Sequence, residues 1–262
     1  MHPASQSGVA SAPYQFSAAP QAEERGITGW YLRSRHRFVA RLASRALKQA
    51  GGASVLDAGC GTGGLTGFLE AEGIQVITGC DAEAEAIAHG KAQGRLKNAV
   101  VADVCRLPFD DNAFDLVVCS EVLEHVPDHQ AGLREILRVS RGPVLITVPA
   151  HPYLWTDSDQ LLHHQRRYTR AQLSDVILSG DATIERLAPF GAIPGLMILL
   201  FKLLKPRGSK PCENQKPLAS RVAWPNWLNA ILYAASNAEL ALAASGCFPW
   251  GHAWWALIRK KV

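Results

Sequence analysis

Short apolar runs alternate with helical patterns between residues 53 and 149, and this alternation constrains the fold more than any other feature of the chain. Strands that alternate with helices are typical of parallel βαβ units. Two more strands are predicted at 182–189 and 253–258. We therefore expect an α/β fold with a seven-stranded, mostly parallel sheet and helices on both faces. Sheets of this kind bind ligands at the carboxyl ends of their strands, so the residues that end each run are the first candidates for a site.

The first apolar run ends in an acid and is followed by a glycine-dense turn, at residues 55–64. Gly59, Gly61 and Gly64 match the G-x-G-x-x-G fingerprint, which holds the pyrophosphate of a dinucleotide on a helix N-terminus. The carboxylate of Asp57, two residues before the first glycine, would repel a pyrophosphate. It suits a cofactor that carries a cation and no phosphate. The glycine loop therefore predicts a nucleotide-type cofactor and leaves two candidates open.

Acids also follow the next two runs, and they decide between these candidates. Asp81 ends the second run, close to the offset of about 20 residues expected for a ribose ligand. Asp103 follows the third run, and the fourth run continues into a loop at 120–126. In this order, the glycine loop, the two acids and the loop resemble the motifs of class I S-adenosylmethionine-dependent methyltransferases over residues 50–150. The resemblance implies the Rossmann-like methyltransferase fold and S-adenosylmethionine as the cofactor.

The resemblance also implies which residues bind the cofactor. In that family the second acid binds the ribose hydroxyls, the third holds the adenine amino group, and the loop after the fourth strand lines the methionine end. The cofactor-binding residues that it implies here are Asp57, Gly59, Cys60, Gly61, Asp81, Ala82, Asp103, Val104, Ser120 and Glu121.

The segment after the fifth strand, residues 149–169, is expected to lie over the site and to select the substrate. With Trp30–Arg33 near the start of the chain, it resembles a bacterial, type 11-like branch of the family. The sequence departs from that branch at Ser158 and His163, where His and Gly are common, so the resemblance leaves the loop conformation and the substrate open. The predicted substrate-binding residues are Tyr31, Tyr153, Trp155, Arg166, Arg167 and Tyr168.

Two basic residues of this segment have two interpretations. Arg166 and Arg167 either form a clamp for an anionic substrate or pair with Asp157 and Asp159 to hold the loop. Thr169 is predicted to cap the following helix rather than to contact a ligand, because Thr169–Gln172 fits a capping box.

Three histidines are candidate catalytic bases, because an imidazole in a polar cleft titrates near neutral pH. They are His125, His164 and His151. His163 and His164 with Asp159 also suggest a metal site, but the sequence offers nothing else that completes a coordination shell. We therefore expect no metal.

The predicted division of the chain follows from these elements. About 60 residues separate the sixth and seventh strands, which this family usually joins by a hairpin. These residues form a cap over the substrate, a peripheral membrane contact, or else a dimer interface or extra core. The apolar segment 193–204 is shorter than the ~20 residues that a transmembrane helix needs. The predicted units are a disordered tail at 1–21, an N-terminal helical cover at 22–50, a cofactor-binding core at 51–190, a helical insert at 191–250 and a last strand at 251–262.

The predicted reaction is transfer of a methyl group to a small hydrophobic acceptor, anionic or lipid-like, with O-methylation slightly favoured. A non-catalytic cofactor-binding or assembly protein and, less favoured, an NAD-dependent dehydrogenase are the alternatives. The six cysteines show no C-x-x-C spacing, which favours a reducing, cytoplasmic setting with membrane association open. We expect a small-molecule substrate and no nucleic acid partner, and the oligomeric state is not predicted.

Overall fold

The computed structural model describes residues 27–204, 225–246 and 248–261, and its centre is a sheet of seven strands. The predicted tail at 1–21 lies outside these ranges. The strands are β1 (Ser54–Ala58), β2 (Val76–Asp81), β3 (Ala99–Val101), β4 (Leu116–Ser120), β5 (Pro143–Pro149), β6 (Ala182–Phe190) and β7 (Ala253–Lys260).

The strand order is β3-β2-β1-β4-β5-β7-β6, and β7 alone runs antiparallel to its neighbours. Every residue of β5 is buried, as expected for a central strand covered on both faces. The order of the strands reverses beside β1, which lies between β2 and β4. The carboxyl ends of these three strands therefore meet at one edge, where an α/β sheet binds its ligand. The predicted α/β fold with a mostly parallel sheet is confirmed.

Helices cover both faces of the sheet. A short 3₁₀ helix, Pro152–Leu154, follows β5. The α-helices are α1 (Ile27–Ala50), α2 (Thr66–Ala71), α3 (Ala84–Ala92), α4 (His129–Val139), α5 (Asp157–Leu161), α6 (Arg170–Ser179), α7 (Ala192–Leu204) and α8 (Asn226–Ala243).

The N-terminal helix α1 packs on the sheet along the face that its sequence predicts. Val39, Ala43 and Leu47 recur at helical spacing, and all three are buried. The ring of Phe38 lies 5.1 Å from that of Phe190 in β6. The predicted helical cover is thus part of the core on this face.

The helices α7 and α8 form the predicted insert between β6 and β7, and residues 205–224 between them lie outside the described ranges. The carboxylate of Glu239 on α8 is buried and accepts hydrogen bonds from the backbone N–H groups of Gly191 and Ala192, at 2.8 and 3.0 Å. The N–H of Gly191 lies just before α7 and that of Ala192 at its first residue, where a negative charge is stabilising. Glu239 therefore fixes the start of α7 against α8. None of the described helices is long and apolar enough to cross a membrane.

The capping box predicted at the start of α6 is present. The Thr169 hydroxyl accepts a hydrogen bond from the Gln172 N–H at 3.2 Å, and the Gln172 side chain accepts one from the Thr169 N–H at 2.9 Å. Both side chains are occupied by the helix end, which is the structural role expected of Thr169.

Candidate functional site

The glycine loop after β1 distinguishes between the two cofactor patterns. Gly59, Gly61 and Gly63 have φ values of +80°, +52° and +79°, in the left-handed region, whereas Gly64 does not lie there. The backbone thus requires glycine at the spacing of D-x-G-x-G-x-G rather than at that of the dinucleotide fingerprint. A Cβ at Gly61 would meet nothing within 4 Å, so the loop has open space at this position for a ligand.

The predicted ribose ligand, Asp81, ties this loop to the end of β2. Its two carboxylate oxygens accept hydrogen bonds from the N–H groups of Gly61 at 2.8 Å and Glu83 at 2.9 Å. Each carboxylate oxygen has a second lone pair, so the group can still accept from two ribose hydroxyls. Ala82 follows directly, and the buried Cys60 packs behind the loop.

The other predicted motif acid, Asp57, is buried at the end of β1. Burial raises its pKa to about 7, the nearby Asp81 adds to the rise, and a long hydrogen bond of 3.5 Å from Thr66 opposes it. A buried carboxylate of this kind is stabilised by a cation. The ammonium and sulfonium of S-adenosylmethionine supply positive charge at this edge, so the residues present fit that cofactor.

The predicted adenine end lies beside β3. Asp103 is exposed, and its carboxylate accepts a hydrogen bond from the Cys105 N–H at 2.8 Å, which orients it. Val104 is buried next to it, in the core. The adenine-binding role of Asp103 stays a prediction.

The predicted methionine end lies at the end of β4. The Ser120 hydroxyl is 2.9 Å from that of Thr147 on β5. Glu121 follows with a φ of +56°, a strained conformation for this residue type, and its carboxylate lies 3.4 Å from the guanidinium of Arg35 on α1. The guanidinium in turn lies over the ring of Tyr31, 5.7 Å from its centroid. The N-terminal helix therefore closes this end of the site.

Two residues at this end of the site, Arg35 and His252, are absent from the sequence-based prediction. The His252 ring lies 4.9 Å from that of Tyr31, and burial lowers the pKa of His252 to about 3, with the charge of Arg167 contributing. Arg35 lies within a run of arginines on α1, and His252 lies just before β7. Neither carries a motif signal, because only the packing of α1 and β7 over the sheet brings them to the site.

The predicted base His151 lies in an aromatic box. Its ring stacks on Tyr153 at 5.1 Å and on Trp250 at 6.1 Å, and it meets Trp254 edge-on at 5.3 Å. Burial lowers its pKa, and the charge of Arg167 adds to this, so that the neutral imidazole dominates near neutral pH. The buried Nε2 atom has no hydrogen-bond partner among the described residues.

The other two predicted bases, His125 and His164, are brought together, with ring centroids 4.7 Å apart. His164 Nδ1 lies 2.9 Å from the buried carboxylate of Asp159. Arg167 also binds that carboxylate, with Nε and Nη2 at 2.7 and 3.0 Å. Burial raises the pKa of Asp159, but the bonds from His164 and Arg167 outweigh it and hold it well below its usual range. Of the two interpretations that the sequence left open, the geometry thus shows the pairing of Arg167 with an acid that holds the loop.

The remaining predicted substrate residues fall into two groups. Arg166 donates to the carbonyl oxygens of Val126 and Pro127 at 2.6 and 3.1 Å. Tyr168 is buried, and its hydroxyl donates to the Leu123 carbonyl at 3.2 Å. Both side chains thus join the segment after β5 to the loop after β4, and their contact with a substrate stays a prediction.

Tyr153 and Trp155 lie where that segment meets the insert. Tyr153 is 55% exposed, and its hydroxyl accepts a hydrogen bond from the Trp250 indole at 2.7 Å. Lys202 on α7 donates to the carbonyl oxygens of Tyr153 and Trp155, at 2.6 and 3.0 Å. The insert and the segment after β5 therefore form one wall beside the His151 box.

Comparison with known proteins agrees with this geometry. A family model described as a methyltransferase domain matches residues 56–145, which run from β1 to β5. The demethylmenaquinone methyltransferase of Beutenbergia cavernae is 38% identical over 105 residues, which are 40% of this chain and 43% of that protein. This chain thus covers less than half of that relative's length.

A longer match extends beyond the motif region. A probable S-adenosylmethionine-dependent methyltransferase of Mycolicibacterium smegmatis is 30% identical over 178 residues, 64% of this chain and 67% of the relative. A methyltransferase solved in complex with the Trm112 activator of Haloferax volcanii superposes with a TM-score of 0.57 at 17% identity, over 92% of this chain and 95% of that one, which shows the shared fold. The chain belongs to the class I S-adenosylmethionine-dependent methyltransferases, and S-adenosylmethionine is its cofactor.

Proposed function

We propose that this methyltransferase transfers the methyl group to an oxygen of a small hydrophobic acceptor, anionic or lipid-like. The aromatic box around His151 carries the proposal, because stacked rings bind an apolar acceptor and the neutral imidazole among them can take a hydroxyl proton. The Beutenbergia relative is named for demethylmenaquinone, a quinone, and this supports a hydrophobic acceptor for the present chain.

The protein does not need to activate the leaving group, because the sulfonium of the cofactor is already a good one. S-adenosylmethionine, held by Asp57, Asp81 and Asp103, would supply the methyl group to an acceptor oxygen, and the electron pair of the S–CH₃ bond would stay on sulfur. The chain's own residues would align the two reactants and exclude water. In this proposal His151 takes the hydroxyl proton on Nε2, and Tyr31 and Tyr153 contact the acceptor.

A labelled-methyl assay over a panel of phenols, quinols, fatty acids and amines tests this proposal. We expect product with the hydroxyl or carboxyl acceptors, and a decrease in kcat of about 100-fold or more in His151→Asn, with cofactor affinity unchanged. Asparagine is chosen because residue 151 has a φ of +58°, which it tolerates. Product with amines alone would contradict O-methylation. Tight cofactor binding without turnover of any acceptor would favour the non-catalytic alternative.

The cofactor-binding residues are tested separately by calorimetry with S-adenosylmethionine. Asp81→Ala is expected to abolish measurable binding, because it removes the acceptor for the ribose and the link to Gly61. Asp110→Asn, on an exposed loop, is a matched control that should bind normally. Normal binding by Asp81→Ala would refute the ribose assignment. Binding of NAD in preference to S-adenosylmethionine would favour the dehydrogenase alternative.

We further propose that the insert contacts an anionic lipid surface. The last turns of α7 expose Leu200, Leu203 and Leu204, and Leu203 is 83% exposed. Lys202 lies beside them, and the sequence from 205 to 221 adds five basic residues and one acid. Apolar side chains flanked by cations suit a surface that is both apolar and anionic.

Co-sedimentation with vesicles tests this contact. We expect binding to phosphatidylglycerol-containing vesicles, weaker binding to neutral ones, and loss of binding in Leu203→Asp. Leu178→Asp, at a leucine on α6 that is 48% exposed, serves as the control. Equal binding by both variants would contradict a contact through α7 and leave the insert as a cover for the substrate.

A further inference from the structure

Three side chains that can ligate a metal ion converge beyond the end of β4. Glu124 and His125 lie on the loop after β4, and His164 lies on the segment after β5. One ligand atom from each, a carboxylate oxygen or an imidazole nitrogen, lies within 4.8 Å of the others. His125 Nε2 is 4.0 Å from Glu124 Oε1. The cluster thus brings together two elements that are about 40 residues apart in the sequence.

Glu124 is the member of the cluster that most needs a partner. Its side chain is fully buried, and neither carboxylate oxygen has a hydrogen-bond partner among the described residues. Arg35 and Arg167 are the nearby cations, but they pair with Glu121 and Asp159. A buried acid in this position is compensated by a proton or by a bound cation.

His164 is oriented as a metal ligand would be. The carboxylate of Asp159 accepts only, so His164 donates from Nδ1 to it, which leaves Nε2 as the ring atom for a metal ion. Arg167 holds Asp159 from the other side through two hydrogen bonds. A carboxylate that orients a ligating imidazole in this way is the usual support of a histidine ligand, since it fixes the tautomer and raises ligand basicity.

His125 completes the set with an imidazole, the commonest metal ligand among protein side chains. Its ring lies beside that of His164, with centroids 4.7 Å apart. Its side chain is 30% exposed, which gives an ion a route from solvent.

We propose that Glu124, His125 and His164 bind a divalent transition-metal ion, with Zn²⁺ as the best match to two imidazoles and one carboxylate. Mg²⁺ prefers oxygen ligands and is a poorer match. Ligands of a tetrahedral Zn²⁺ at about 2.1 Å stand about 3.4 Å apart, so the three side chains would close by about 1 Å on binding. This metal site revises the sequence-based expectation of no metal, and it uses Glu124 where the sequence suggested Asp159 and His163.

Three protein ligands leave a coordination position open for a water or an acceptor oxygen. The next step rests on the proposed function. An acceptor hydroxyl bound at that position would lose its proton more readily, because the cation stabilises the oxyanion. The proton passes to His151 or solvent, the oxygen forms the new bond to the methyl carbon, and the S–CH₃ bond breaks with its electron pair left on sulfur. The acceptor class that fits is a hydroxyl compound.

Metal binding is tested on the full chain, stripped with a chelator and titrated with Zn²⁺ by calorimetry, and by the visible absorption of the Co²⁺-substituted protein. We expect one ion per chain. Glu124→Gln and His164→Gln should weaken binding by more than about 100-fold, since loss of a supporting partner alone costs 10–100-fold. His163→Asn, an exposed neighbour outside the cluster, is the matched control and should bind as the wild type does.

Each outcome bears on one proposal. Absence of saturable Zn²⁺ binding, or binding that Glu124→Gln leaves unchanged, would overturn the metal site and mean that Glu124 is compensated by a proton. Thermal unfolding of the metal-free variants checks that they fold. S-adenosylmethionine binding by the metal-free wild type is measured in parallel, because its loss would count against the proposed function and leave the metal site untouched. Chelator inhibition of methyl transfer, restored by Zn²⁺, would support the hydroxyl acceptor, and full activity without metal would refute that step.

Discussion

The acid of the first motif, Asp57, is expected to lower the stability of the cofactor-free protein, although it favours binding of the cofactor. Its pKa rises from an ordinary 3.8 to about 7, first because of burial and then because of Asp81. At about 1.4 kcal/mol per pKa unit, the ionised side chain costs the folded state about 4 kcal/mol relative to the unfolded chain. Because folding raises the pKa of Asp57, this cost is absent below the unfolded pKa. It grows as pH rises from about 4 and is complete above about 7.

The substitution that isolates this cost is Asp57→Asn, which keeps the shape and removes the charge. If half of the cost is recovered, the variant gains about 2 kcal/mol at pH 8, or about 4–8 °C in Tm for a chain of this size. The gain should shrink toward zero as pH falls to about 4. Thermal unfolding at several pH values, without cofactor, measures it. Asp110→Asn on an exposed loop is the control and should show no such pH dependence.

Bound S-adenosylmethionine should reduce this difference in stability between the variant and the wild type. The wild type is expected to gain more stability from S-adenosylmethionine than Asp57→Asn does, because the bound ammonium compensates the buried carboxylate. A variant that is less stable than the wild type at pH 8, or a gain that does not vary with pH, would refute the assignment of a charge penalty to Asp57.

Three further predictions concern other parts of the molecule. S-adenosylmethionine affinity, measured by calorimetry, should rise as pH approaches about 7, where Asp57 ionises, and fall above about 8, where an α-amino group loses its proton; a flat profile would contradict the pairing. Glu239→Ala should destabilise the protein by about 2–3 kcal/mol in urea unfolding, because two N–H groups at the start of α7 lose a charged acceptor, whereas Glu239→Gln should retain part of this. Thr169→Ala should cost about 1 kcal/mol in the same assay through loss of the cap of α6, and an unchanged midpoint would speak against that cap.

Much of the fold follows from local sequence patterns. The runs that end in Asp57 and Asp81 are strands in the structure, and Thr169 caps the helix that it was predicted to begin. These features depend on side-chain periodicity, on capping groups and on the conformational freedom of glycine, all of which act over a few residues. The glycine loop follows β1 directly, whereas its contact with Asp81 at the end of β2 depends on the pairing of these two strands.

The side chains that α1, the segment after β5 and the chain before β7 bring to the site depend on long-range packing. Tyr168 and Arg167 are predicted substrate residues because they are polar and follow β5. The sequence does not reveal that Tyr168 is buried or that Arg167 pairs with Asp159. Arg35 and His252 carry no motif, and they reach the site through the packing of α1 and the antiparallel β7. Spacing along the sequence does not encode these contacts.

What the sequence alone determined is the family and the donor of the methyl group. A strand, an acid and three glycines at fixed spacing create a cofactor loop through backbone conformations that are local. What only the tertiary structure decided is the set of side chains around the acceptor, such as Glu124 beside His164 and His151 among its rings. The physical reason is burial: a carboxylate or an imidazole has its protonation state and partners set by whatever folds over it. For this site, those groups come from α1, the loop after β4, the segment after β5 and the chain before β7.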